Sequence, residues 1–165
     1  MDDNRKDTLT TWLKDAYAME KGIEEILERQ IDQAKDMPEA QAKLREHLAL
    51  TKTHADRVKG CVERLGDNVS HVKSGLANML GAIQGMSTAM ANDKMLKNAM
   101  ANYAIEYFEI SAYMANAEAA RELGHEDIAQ VCDSIMREEQ EMADWLEMQI
   151  PMVTRHVMMA AVETK

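Results

Sequence analysis

The chain has 165 residues, of which 46% are hydrophobic and only 4% aromatic, and it carries a formal net charge of −10. That length suits one domain with a sizeable core, and an acidic balance without clustered Lys and Arg excludes a nucleic-acid or anionic-membrane surface. Two prolines, seven glycines and one phenylalanine, among abundant Ala, Leu, Met, Glu and Lys, exclude a sheet protein and predict helices.

The first helix is predicted over Thr8 to Ala34, with Leu9, Leu13, Ala16, Glu20, Ile23 and Leu27 inward. The segment KDMPEA breaks it, and Pro38 suits the first turn of the next helix. That second helix carries Leu44, Leu48, Thr51, Ala55, Val58, Val62 and Leu65 on one stripe and ends near Gly66. A Gly-, Ala- and Met-rich segment from Val69 to Ala91 reads as a crossover helix, in which Gly75, Gly81 and Gly85 permit close packing. A fourth helix from Asp93 to Leu123 is stopped by Gly124, and a fifth runs from Glu126 to Ile150. Pro151 is expected to bend or interrupt the chain before a short Met-rich tail helix over about 151–163. Two helical hairpins joined by a long connection make an all-α, antiparallel four-helix bundle, one domain over 1–165 with its core at about 8–150.

The chain lacks an apolar run of about 18 residues, and its first residues, MDDNRKDTLTTW, lack the apolar stretch of a secretory signal. A cytoplasmic protein is the expectation, with Cys61 and Cys132 reduced and partly buried.

Carboxylates stand on faces that otherwise read as core. On the fourth helix the stripe runs Leu96, Ala99, Tyr103, Glu106, Ile110, Tyr113, Ala117, and Glu109 lies one turn beyond Glu106. A buried charge without compensation costs several kcal/mol, so a cation, a proton or a metal ion must answer it. Counting from the hairpin turns sets Glu20 level with about position 52, near Thr51 and His54. It likewise sets Glu109 level with about position 141 and Glu106 with about Asp144, so Glu138, Glu139, Glu141 and Asp144 lie within reach. The candidate metal ligands are therefore Glu20, His54, Glu106, Glu109, Glu139 and Asp144. The bland alternative is that these acids pair with Lys21, Lys97, Arg121 or Arg137 at the edge of the core. His47, His71, His125 and His156 read as surface or turn residues.

Five segments in register resemble the ferritin-like YciE/YciF group of bacterial stress-associated proteins. They are DAYAMEK (Asp15–Lys21), EHLALTKTHADRV (Glu46–Val58), EYFEISAY (Glu106–Tyr113), ELGHEDIAQV (Glu122–Val131) and REEQEMADWL (Arg137–Leu146). The resemblance implies a ferritin-like bundle with a crossover helix, a homodimer, and two bound metal ions on acids matching Glu20, Glu106, Glu109, Glu139 and Asp144. Two departures stand out: Ala49 and Leu50 occupy positions where the group often has Glu-Glu, and Tyr107 follows Glu106 where His is usual.

Two functions follow. The first is a ferritin-like metal-binding protein of the bacterial stress response, with iron or manganese favoured by mainly oxygen ligands and zinc taken in vitro. Turnover is left open. The second is a non-catalytic ferritin-like structural or interaction protein that has lost the site and holds no metal. Fifteen methionines, clustered in the crossover and the tail, suit a protein partner or a homodimer contact.

Overall fold

The computed structural model describes residues 2–35, 37–70 and 93–163. They form four long helices: α1 (Asp2–Gln33), α2 (Pro38–Arg64), α3 (Lys94–Glu122) and α4 (Glu126–Glu163). The expected crossover falls mostly on residues 71–92, outside the described residues, as do Gly75, Gly81, Gly85 and His71.

α1 packs on α2 and α3 on α4, and the two hairpins meet through α1 against α3 and α2 against α4. Leu9, Leu13, Val58, Val62, Ile128 and Ile135 fill the end of the bundle nearest the α3–α4 turn. Cys61 and Cys132 are free and wholly buried in that layer, where burial pushes both thiols up, Cys132 to about 12. Nearer the α1–α2 turn, Gln30 and Asn102 exchange two amide hydrogen bonds of 2.9 and 2.8 Å across α1 and α3.

α1 starts earlier than the periodicity predicts, because the polar residues before Leu9 extend the helix on its exposed side. Pro38 opens α2 as expected. Pro151 does not interrupt the last helix: α4 passes through it to Glu163. It sits on the exposed side beside Glu147 and Met148, where water can take the carbonyl left without its helical donor.

α2 and α3 end alike. Gly66 (φ +85°) and Gly124 (φ +74°) adopt the left-handed conformation. Their N–H groups bond Glu63 and Arg121 carbonyls, while Asp67 and His125 N–H groups reach back to Val62 and Ala120 at 3.2 and 2.9 Å. Nothing lies within 4 Å of where a Cβ on Gly124 would stand, so a side chain there meets only backbone strain. Gly124→Ala should therefore cost about 1 kcal/mol and lower the thermal midpoint by about 2–4 °C, read by a circular-dichroism melt.

Candidate metal centre

Midway along the bundle the apolar core gives way to acids and imidazoles. Glu20 on α1, His47 and His54 on α2, Glu106 and Glu109 on α3 and Glu139 on α4 are all buried. Their positions follow from helical periodicity. Glu20 occupies a core position between Ala16 and Ile23, and Glu139 one between Ile135 and Met142.

The ligand atoms of Glu20, His54 and Glu139 all lie within 4.8 Å of one another, and so do those of His47, Glu106 and Glu139. Glu139 belongs to both groups, which makes it the natural bridge between two adjacent seats. His54 Nδ1 stands 2.6 Å from Glu139 Oε1 and 3.9 Å from Glu20 Oε1, and His47 Nε2 stands 3.1 Å from Glu106 Oε1. Close as they are, neither imidazole nitrogen meets hydrogen-bond geometry there. His47 Nε2, His54 Nδ1, Glu20 Oε2, Glu106 Oε2, Glu109 Oε2 and both Glu139 oxygens are buried without a hydrogen-bond partner.

Surrounding side chains orient this set. His54 Nε2 lies 2.6 Å from Glu138 Oε2, which also accepts from Arg57 Nη1 at 2.8 Å, while Ser134 Oγ donates to Glu138 Oε1 at 3.0 Å. With the Nε2 proton directed at Glu138, the His54 Nδ1 lone pair faces Glu20 and Glu139, the arrangement that fixes a metal-binding imidazole. Tyr113 Oη donates to Glu20 Oε1.

The cations that might have neutralised the acids are engaged elsewhere. Lys21 pairs with Glu24 at 2.5 Å, Lys97 with Asp93 at 3.0 Å and Arg121 with Asp133, while Arg137 is exposed, away from the buried acids. Burial accordingly pushes Glu20 and Glu109 well above the carboxylate range, reinforced by Glu139, and raises Glu106 to about 7. Burial pulls the imidazoles down, but the carboxylates around His47 and His54 outweigh it and raise both. Burial acts to raise Glu138 too, yet His54, Ser134 and Arg57 hold it below the usual value.

The donors fit a pair of divalent cations. Four carboxylates balance two such ions if both imidazoles are neutral, and each of these six residues carries at least one buried atom without a hydrogen-bond partner. Oxygen-rich donors with two imidazoles suit iron or manganese chemistry.

Five of the six candidate ligands read from the sequence are thus brought together, and one is not. Asp144 is exposed and accepts from Gln140 Nε2 at 2.7 Å. It lies five residues after Glu139, which turns it about 140° round the helix, whereas Met142 and Ala143 take the inward places. His47, read as a surface or turn residue, is instead buried. It stands seven residues before His54 on the same face, and that spacing was the available signal. Ala49 is exposed and Leu50 only half-buried, so neither faces the cluster, and the inward position between the histidines is Thr51. His125 is half-buried at the α3–α4 turn, and His156 is exposed.

The family described as a domain of unknown function (DUF892) matches residues 4–158. The chain belongs to that family. A protein of Xanthomonas campestris pv. campestris is 29% identical with a TM-score of 0.79, the match covering 95% of this chain and 98% of that one. The Escherichia coli stress protein YciF is 19% identical with a TM-score of 0.80, over 92% of this chain and 97% of its own. A Desulfovibrio desulfuricans bacterioferritin, described with a diiron site, is also 19% identical, with a TM-score of 0.76 over 94% of this chain and 85% of its own. The latter two are likenesses of fold, and they make this member of the DUF892 family a ferritin-like bundle resembling YciF. Ferritin-like di-metal bundles commonly take a Glu-x-x-His pair from each of two helices. In this chain Thr51-x-x-His54 and Glu139-x-x-Met142 stand at such spacings, and both clustered imidazoles come from α2.

The sign of the pH dependence follows from these shifts. Carboxyls raised from 4.5, Glu106 to about 7, hold protons in the folded chain that the unfolded chain has released, so stability falls as pH climbs through that window. The raised imidazoles act in the same direction, since their contribution is present below 6.5 and lost as pH passes the folded value. Glu106 alone corresponds to ~3 kcal/mol. The thermal midpoint of metal-free protein should therefore fall from pH 5 to pH 8, and a rise over that range would contradict uncompensated burial of these acids.

Proposed function

We propose that this protein is a ferritin-like metal-binding protein that holds two divalent cations, iron or manganese, between its two helical hairpins. The observation that carries this reading is the set of buried oxygens and nitrogens with no hydrogen-bond partner on residues that converge around Glu139. Glu20 and His54 would hold one ion and His47 and Glu106 the other, with Glu139 available to both and Glu109 buried nearby. Bound iron would supply redox chemistry toward dioxygen or peroxide. The protein's own residues fix the seats: Glu138 and Arg57 hold the His54 ring, and Tyr113 holds Glu20. A cytoplasmic role in the bacterial stress response is part of the proposal, and the fold shared with a stress protein supports it.

Glu109 offers the sharpest test, because burial and the fields of Glu139, Glu20 and Glu106 all oppose its charge. Glu109→Gln should raise the stability of the metal-free protein at pH 8 by about 1–3 kcal/mol. The same change should lower Mn²⁺ uptake, read by elemental analysis after dialysis, from two ions per chain to one or none. Equal and negligible metal in both proteins would remove the proposal.

A homodimer is also proposed. Between Lys97 and Glu118 the exposed positions of α3, among them Met100, Ala104, Tyr107, Ser111 and Met114, carry no charge, and Met152, Met158 and Met159 are exposed on the tail of α4. Tyr107→Lys combined with Met114→Lys should shift a sedimenting dimer to monomer. A wild-type protein that sediments as a monomer at micromolar concentration would exclude this contact.

A further inference from the structure

Beyond the carboxylate cluster, the bundle contains a cavity of about 1000 Å³ at the end where α1 turns into α2. All four helices line it, and it stands directly above the candidate metal centre. Asn102 precedes Glu106 by one helical turn and Lys43 precedes His47 by one, while Leu146 follows Glu139 by two. We propose that this cavity binds a small uncharged amphiphile, an organic molecule with an apolar body and one hydrogen-bonding head, seated head-down on the Gln30–Asn102 pair. Binding itself does not depend on the metal reading. Only the consequence rests on it, that the head of the bound molecule lies one helical turn from the metal seats.

Three observations define the ligand. The volume matches a small organic molecule and far exceeds the needs of a single ion. The walls are largely apolar, with Leu44, Ala99, Leu146, Val153 and Val157 among them. Among the described lining residues the acidic Glu39 and Glu46 balance Lys43 and Lys94, with His156 the further titratable group, so neither a cation nor an anion is favoured at neutral pH. Lys43 is further occupied, 2.9 Å from Glu46 and 5.9 Å from the centre of the Trp145 ring.

The floor supplies the specificity. Gln30 and Asn102 each use one N–H and one carbonyl lone pair on the other, which leaves each amide a second N–H and a second lone pair. A hydroxyl or amide head can both donate to and accept from that pair, whereas an ionised head would lose water against neutral amides alone.

Trp12 and Trp145 are the only tryptophans, and Trp145 lines the cavity, so Trp12→Phe leaves one reporter. This protein would be titrated with 1-octanol, octanoate and octylammonium, which share a body and differ in head charge. The expected result is a saturable change in Trp145 fluorescence with 1-octanol, and binding weaker by about tenfold for both ions. Ala99→Phe, which sets a ring in the wall of the cavity, should weaken the response. Gln30→Leu with Asn102→Leu should weaken 1-octanol binding by about tenfold while circular dichroism reports an intact bundle. No saturable response to 1-octanol, a charged probe bound as tightly, or a response unchanged in both variants would overturn the inference. Metal content measured on the same samples separates the two readings. An octanol response in protein that takes no Mn²⁺ keeps this inference and removes the metal centre, and Mn²⁺ uptake without an octanol response does the reverse.

Discussion

Four carboxylates buried at one level of a helical bundle, with no buried lysine or arginine among the described residues, are the constraint around which this structure is arranged. Mutual repulsion and desolvation both oppose such a cluster, so the fold must hold it by force of packing elsewhere. The tight layer toward the α3–α4 turn and the doubly hydrogen-bonded Gln30–Asn102 pair on the other side supply that rigidity. Tyr113 then holds Glu20 through Oε1, and Glu138, itself held by Arg57, holds His54 through Nε2, while Glu20 Oε2 and His54 Nδ1 keep no hydrogen-bond partner. Ordinary cores avoid unsatisfied polar atoms, and under the proposed function it is bound cations that answer this concentration of them.

Much of this was legible in the primary structure, because helices of this length impose their period strongly. The stripe from Leu9 to Leu27 carries Glu20 on its inner face, and the run through Tyr103, Ile110 and Tyr113 carries Glu106. Counting residues from the turns sufficed to bring Glu20 level with His54. What period alone could not resolve was orientation at the margin of a stripe. Asp144 shares a level with Glu106 but points outward, and level without azimuth does not make a ligand. His47 was hidden for the opposite reason, since a histidine beside Glu46 in a polar stretch looks like surface until its seven-residue relation to His54 is noticed. Ala49 and Leu50 looked like a lost ligand, yet the residue of α2 that faces inward between the two histidines is Thr51. Pro151 misled because a proline usually ends a helix, and only its exposure explains why α4 continues.

The allotment of donors between the two hairpins has a consequence of its own. The first hairpin brings one carboxylate and two imidazoles, Glu20, His47 and His54, while the second brings three carboxylates, Glu106, Glu109 and Glu139. Neither half holds a complete seat, because each trio of converging atoms draws on both. A nascent chain with only α1 and α2 folded therefore lacks a complete seat, and the later half by itself brings three carboxylates together without an imidazole. Under the proposed function, ion capture becomes a checkpoint on assembly: it is available only once the halves have closed on one another, and it then rivets them together.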